Sequence, residues 1–95
     1  MNKQIIIQQL KKVKPLLSEK YGLTELALFG SYSRNEETDL SDIDIMVDFS
    51  RPVGIEFIDL ADELERHLNR KVDLVSRKGI KPKYFDVIQP EIIYV

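Results

Sequence analysis

The chain has 95 residues, with 14 Lys and Arg against 16 Asp and Glu for a net charge of -2, and it contains no cysteine. These numbers exclude a disulfide framework, a thiolate metal site and a thiol nucleophile. The acidic balance argues against a nonspecific nucleic-acid binder, which needs a dominant basic surface.

No stretch reaches the ~20 apolar residues of a membrane span, and no signal-peptide pattern is read at the start. We therefore expect one compact cytoplasmic domain over 1–95, without a membrane partner. A chain this short buries roughly 60–65% of its extended surface, so its core should be modest and a partner chain or oligomer would help it. Charge is unevenly spread. Residues 1–35 carry six bases and two acids, 36–50 carry six acids and no base, and 51–95 carry eight of each.

Ile6, Leu10, Val13 and Leu17 recur at helical spacing and predict an opening amphipathic helix that stops at Tyr21-Gly22. Pro15 interrupts the pattern and predicts a break or kink at Lys14. Glu25 to Phe29 reads as the first core strand, and Ser31 to Arg34 as a short helix capped by Ser31. Asn35 to Leu40 is a polar loop. From Asp42 to Phe49 the chain alternates: Ile43, Ile45, Val47 and Phe49 face a core, while Asp42, Asp44, Met46 and Asp48 form a working face.

Arg51 to Gly54 is a loop, followed by a helix on Phe57, Leu60, Ala61, Leu64 and Leu68 that ends at Asn69. Lys71 to Val75 is a third strand containing Asp73. Pro82 opens a helix through about Gln89, which Pro90 closes, and Ile92 to Val95 form a short edge strand. The order predicts an α/β fold: a small mixed sheet covered by helices on one face.

Two motifs carry chemistry. Gly30-Ser31 follows a strand, where a glycine permits close approach to a ligand and exposed amides bind anionic phosphate oxygens. Asp42 and Asp44, with α-carbons about 6.5 Å apart on one side of a strand, can converge on divalent metal. Alone, the first is also an ordinary capped turn and the second an ordinary solvated edge strand. An EF-hand is excluded because Ile43, Ile45 and Val47 make a β pattern, and neither a Walker A loop nor G-x-G-x-x-G occurs.

Taken together, Leu28 to Arg34, Asp42 to Val47 and Lys71 to Val75 resemble the minimal nucleotidyltransferase family, within the superfamily of DNA polymerase β-like nucleotidyltransferases. The resemblance covers nearly the whole chain. Members often read G-S-Y-A-R-G, where this chain has Ser33 and Asn35 in place of Ala and Gly. Serine fits where alanine does, and asparagine tolerates the left-handed geometry that glycine would take.

The resemblance implies a polymerase β palm-like fold and a two-magnesium site. Asp42 and Asp44 would hold both ions, and Asp73 would complete the site of the catalytic one. Gly30 and Ser31 would grip the β- and γ-phosphates of ATP or another nucleoside triphosphate. Arg34 either neutralises phosphate charge or ties the short helix to the acidic loop.

The resemblance further implies a HEPN-domain toxin as partner and acceptor, an AMP transferred to its tyrosine, and a role as antitoxin. No template nucleic acid is expected, since length and charge leave nothing to hold a primer–template. The alternative is a non-catalytic module that neutralises its partner by contact, motivated by the apolar Ile92, Ile93 and Val95. Arg77, Lys78, Lys81 and Lys83 read mostly as a solvated basic face, and His67 as a surface residue.

Overall fold

The computed structural model describes all 95 residues. In chain order it comprises α1 (Lys3–Tyr21), β1 (Leu23–Phe29), α2 (Gly30–Ser33), β2 (Ile43–Phe49), α3 (Glu56–Leu68), β3 (Val72–Ser76), α4 (Pro82–Ile88) and β4 (Ile93–Tyr94). Tight 3-10 turns at Arg77–Gly79 and Gln89–Glu91 flank α4.

Helix α1 starts where the Asn2 side chain accepts the Ile5 N–H at 3.1 Å, and it ends where Gly22 turns left-handed at φ 72°. Its buried stripe, Ile6, Leu10, Val13, Leu17 and Tyr21, runs unbroken past Pro15. The expected break at Lys14 does not occur. Pro15 lies on the exposed side of the helix, so its ring stays clear of the core, and the Lys11 carbonyl that it leaves without a donor belongs to an exposed residue.

The four strands lie in the order β3-β2-β1-β4. β1 is antiparallel to both β2 and β4, whereas β2 and β3 are parallel and joined by the α3 crossover. One face of the sheet packs against α1 and α3 through Leu26, Leu28, Ile43, Ile45 and Val47, which meet Leu10, Leu17, Leu60 and Leu64 in a single cluster. Glu63 is buried between these helices, where its Oε1 accepts bonds from Lys20 Nζ at 2.7 Å and the Tyr21 hydroxyl at 3.0 Å. That satisfies a carboxylate which would otherwise be costly to bury.

The opposite face is only partly open. Ile88 of α4 closes over Ala27, Phe29 and Met46, with Val75 and Phe85 beside them. Met46, read as part of the working face, is therefore fully buried. Arg77 is also not a free surface cation. Its Nη1 bonds Glu25 at 3.2 Å and the Tyr94 hydroxyl at 3.1 Å, and its guanidinium lies 4.6 Å from the Phe85 ring. His67 and Lys78, Lys81 and Lys83 are exposed.

Boundaries shift modestly: β1 begins at Leu23, β2 at Ile43, and α4 ends at Ile88 so that Pro90 lies in a 3-10 turn. Ile92 and Val95 are half-buried against the two cores, Ile93 is half-buried and paired with Leu28, and the Val95 N–H extends the sheet to the Leu26 carbonyl at 2.9 Å. These residues are used by the fold, which removes the motive for a contact surface built on them. No helix is long and apolar enough to cross a membrane.

Candidate active site

Strand register assembles the site. Phe29 on β1 is opposite Asp44 on β2, and Asp44 is opposite Asp73 on the parallel β3, so the three share one row across the sheet. The row beneath it, Ala27, Met46 and Val75, is roofed by α4. The carboxylates therefore stand at the uncovered end of a face whose other end is packed. Asp44 is half-buried, while Asp73 and Asp42 are exposed, with Asp42 just before β2.

Asp44 carries the electrostatic strain of this arrangement. Burial raises its carboxyl first; the charge of Asp73, a hydrogen bond with Asp73 and the charge of Asp42 add to the effect, while Arg34 opposes it. The result is a carboxyl pushed from 3.8 to about 6. Asp44 and Asp73 are brought together as the sequence suggested, and Asp42 stands near enough to act on Asp44 through its charge. The three are not drawn into a compact three-ligand cluster. Mutual repulsion of bare carboxylates favours that looser spacing.

The Gly30–Arg34 turn lies against Asp44. Gly30 has φ 77°, and a Cβ there would fall on Asp44 Oδ2 and lie 2.8 Å from its Cγ. Glycine is thus required twice, by the backbone angle and by the approach of Asp44. Ser31 does not cap α2: the capping position is Phe29 in extended geometry, because Gly30 itself enters the helical turn. Ser31 is half-buried, and the side-chain bonds of the turn are made by its neighbours Ser33 and Arg34.

The Gly30 N–H is engaged, donating to Glu91 Oε2 at 2.5 Å. Arg34 bonds Glu91 through Nη1 at 2.8 Å and Glu36 through Nε at 2.6 Å. Of the two roles left open for Arg34, the tie to the acidic loop is present, and its guanidinium also bears on the Asp44 carboxyl. Glu91 was not anticipated from the sequence. It lies 61 residues from Gly30, and no local pattern marks it.

Oxygen donors of this type suit a hard divalent cation such as magnesium. The Asp44–Asp73 pair is raised in energy by like charge, a condition that a bound cation would relieve. The residues present therefore fit a divalent metal. The Gly30–Arg34 turn lies beside them, with its Gly30 N–H held by Glu91 and its Arg34 guanidinium the nearby positive charge.

The sequence profile of the nucleotidyltransferase domain family matches residues 10–95. A protein of Methanocaldococcus jannaschii, named as a candidate protein adenylyltransferase, is 44% identical over 90 residues, covering 90% of each chain. The protein adenylyltransferase MntA of Thermococcus cleftensis is 40% identical over 83 residues, covering 86% of this chain and 84% of its own.

Among solved structures, a candidate minimal nucleotidyltransferase superposes with a TM-score of 0.83 at 28% identity, covering 98% of this chain and 95% of that one. A complex of tri-AMPylated HEPN toxin with MNT antitoxin from Shewanella oneidensis gives a TM-score of 0.69 at 26% identity, over 94% of this chain and 70% of that one. The chain belongs to the nucleotidyltransferase domain family.

Proposed function

We propose that this enzyme transfers AMP from ATP to a tyrosine hydroxyl of a HEPN-type toxin, with two magnesium ions, and so acts as the antitoxin of the pair. One observation carries the reading. Asp44, paired with Asp73 across the sheet, lies directly against Gly30, where a β-carbon would fall on its carboxylate. A purely structural sheet would have no reason to set two repelling carboxylates side by side, or to press one of them against a turn. The relatives named as protein adenylyltransferases and the AMPylated toxin complex support the substrate and partner.

In this reading Asp42, Asp44 and Asp73 hold the metal ions. When bound, these ions offset charge on the reacting phosphate and favour ionisation of the attacking hydroxyl. Ser31 and the Gly30–Arg34 turn orient the β- and γ-phosphates, with Arg34 contributing the fixed positive charge. Asp73, exposed at the open end of the row, accepts the proton of the acceptor hydroxyl. The bond from the acceptor oxygen to the α-phosphorus forms, the α–β phosphoanhydride bond breaks, and pyrophosphate leaves. The open sheet end admits a protruding loop of a partner without requiring a template, and cytoplasmic action as a complex with that partner follows from the same reading.

Intact-mass spectrometry of the toxin, incubated with the chain, ATP and magnesium, tests this. AMP additions are expected with the native chain and none with Asp42→Asn or Asp44→Asn. Failure to see an adduct with any nucleoside triphosphate and divalent metal would sink it. Full neutralisation of the toxin by Asp44→Asn would replace catalysis with contact.

A further inference from the structure

We propose that Glu91 is a positioning residue for nucleotide binding, holding Arg34 and the glycine turn in the geometry that receives the triphosphate. The inference rests on the reading of Gly30–Arg34 as the phosphate-binding turn. It concerns a residue that lies at the far end of the chain from that motif.

Three contacts converge on this one side chain and its backbone. Glu91 Oε2 accepts both the Gly30 N–H at 2.5 Å and Arg34 Nη1 at 2.8 Å, and the Glu91 carbonyl accepts the Ser33 hydroxyl. A single residue thus grips the first, fourth and fifth positions of a five-residue turn. The sheet explains how it reaches them. β4 pairs with β1 as Ala27 with Tyr94 and Leu28 with Ile93, and continuing that antiparallel register places Gly30 across from Glu91. The Glu91 side chain therefore completes the ladder beyond the point where backbone pairing stops. On the other side of the turn, Lys3 Nζ bonds the Ser33 carbonyl at 3.2 Å.

The two carboxylates on Arg34 are not equivalent. The Glu91 side chain is 16% exposed and has other partners to hold it. The Glu36 side chain is 63% exposed and makes no other side-chain bond. Two carboxylates against one guanidinium leave a net negative charge where a polyanion must bind, so one of them must release its bond. Glu36 is the partner free to leave, and its departure frees the Nε edge for phosphate. Glu91 stays, because leaving would also orphan the Gly30 amide. The guanidinium is thereby anchored at one edge and presented at the other, which lowers the ordering cost of binding.

The test uses the full-length chain and compares Glu91→Gln, Glu36→Gln, Arg34→Ala and the Glu91→Gln/Arg34→Ala double variant. The readouts are equilibrium binding of magnesium–ATP and, with the toxin, separate kcat and KM for ATP. Glu91→Gln should weaken ATP binding and raise KM by about tenfold, the effect of one charge-assisted bond, with kcat within about threefold. Glu36→Gln, which removes an equally short ion pair, should leave KM unchanged or lower it. In the Arg34→Ala background, Glu91→Gln should add less than twofold.

If Arg34→Ala weakens ATP binding and Glu91→Gln does not, the positioning role is wrong while the phosphate-binding turn stands. Equal weakening by Glu36→Gln and Glu91→Gln would also overturn it. If Arg34→Ala leaves ATP binding unchanged, the reading of the turn itself fails. Should Glu91→Gln fold poorly by circular dichroism, Glu91→Asp is used, whose shorter side chain cannot span both partners and should reproduce the rise in KM. The binding measurement decides even if the transfer reaction is not observed.

Discussion

Replacing Asp44 by asparagine should stabilise the metal-free protein while destroying its activity. The Asp44 carboxyl ionises at about 6 in the fold, against 3.8 for an ordinary aspartate. The sign follows from proton counting. Between those values the folded state holds more protons than the unfolded one, so the group's favourable contribution is complete below 3.8 and is lost as pH rises through about 6. A shift of about two units corresponds to at most ~3 kcal/mol at pH 8. The side chain is only half-buried, and solvent screening reduces this to about 1–1.5 kcal/mol.

Asparagine keeps the shape and removes the charge, so the variant should melt about 4–10 °C higher at pH 8. Thermal unfolding followed by circular dichroism in chelator is the assay, run at pH 8 and pH 5. The gap should shrink to roughly half at pH 5, where most folded Asp44 is already neutral. Magnesium should raise the melting temperature of the native chain and leave that of Asp44→Asn unchanged. An unchanged or lowered melting temperature for Asp44→Asn at pH 8, or a gap indifferent to pH, would refute the strained-carboxylate account.

Three further outcomes are expected. Gly30→Ala forces a β-carbon onto Asp44 at a left-handed angle, so it should cost about 1–2 kcal/mol and reduce transfer about 100-fold, measured by thermal melts and toxin mass shifts. Binding of magnesium to the metal-free chain should weaken as pH drops below about 6, because protonated Asp44 must lose its proton to serve as an anionic ligand; an affinity that is flat between pH 5 and 8 in titration calorimetry would contradict this. Pro15→Ala restores an N–H for the Lys11 carbonyl within a continuous helix, and should raise stability by about 1–2 kcal/mol in urea melts with transfer rates unchanged.

Much of the fold was legible because its signals are local. The Ile43–Ile45–Val47 alternation, the α3 stripe and the Asn69 stop each depend on a few adjacent residues. Asp73 was legible as a partner of Asp44 only through a family resemblance, since their register is set by the crossover through residues 50–71.

The misreadings share one cause, that three-dimensional neighbours decide them. Pro15 is tolerated because of the side of α1 on which it falls, which the breaker rule ignores. Met46 is buried because α4 returns over it, and Arg77 is spoken for because Glu25, Tyr94 and Phe85 converge on it. Glu91 carries no motif at all, and its relation to Gly30 exists only once β4 has docked on β1.

The parallel seam between β2 and β3 also sets an order of assembly. β1 and β2 are antiparallel neighbours joined through residues 30–42, the nearest in sequence of the three strand pairings, so the glycine turn and Asp44 can meet early. Asp73 arrives only after α3 has formed and packed, a closure of longer range. Relief of the repulsion by Asp44→Asn is then expected to slow unfolding rather than to speed folding, read from the two limbs of a urea chevron. A repelling pair placed on a seam of longer range than the β1–β2 pairing leaves that first pairing unopposed.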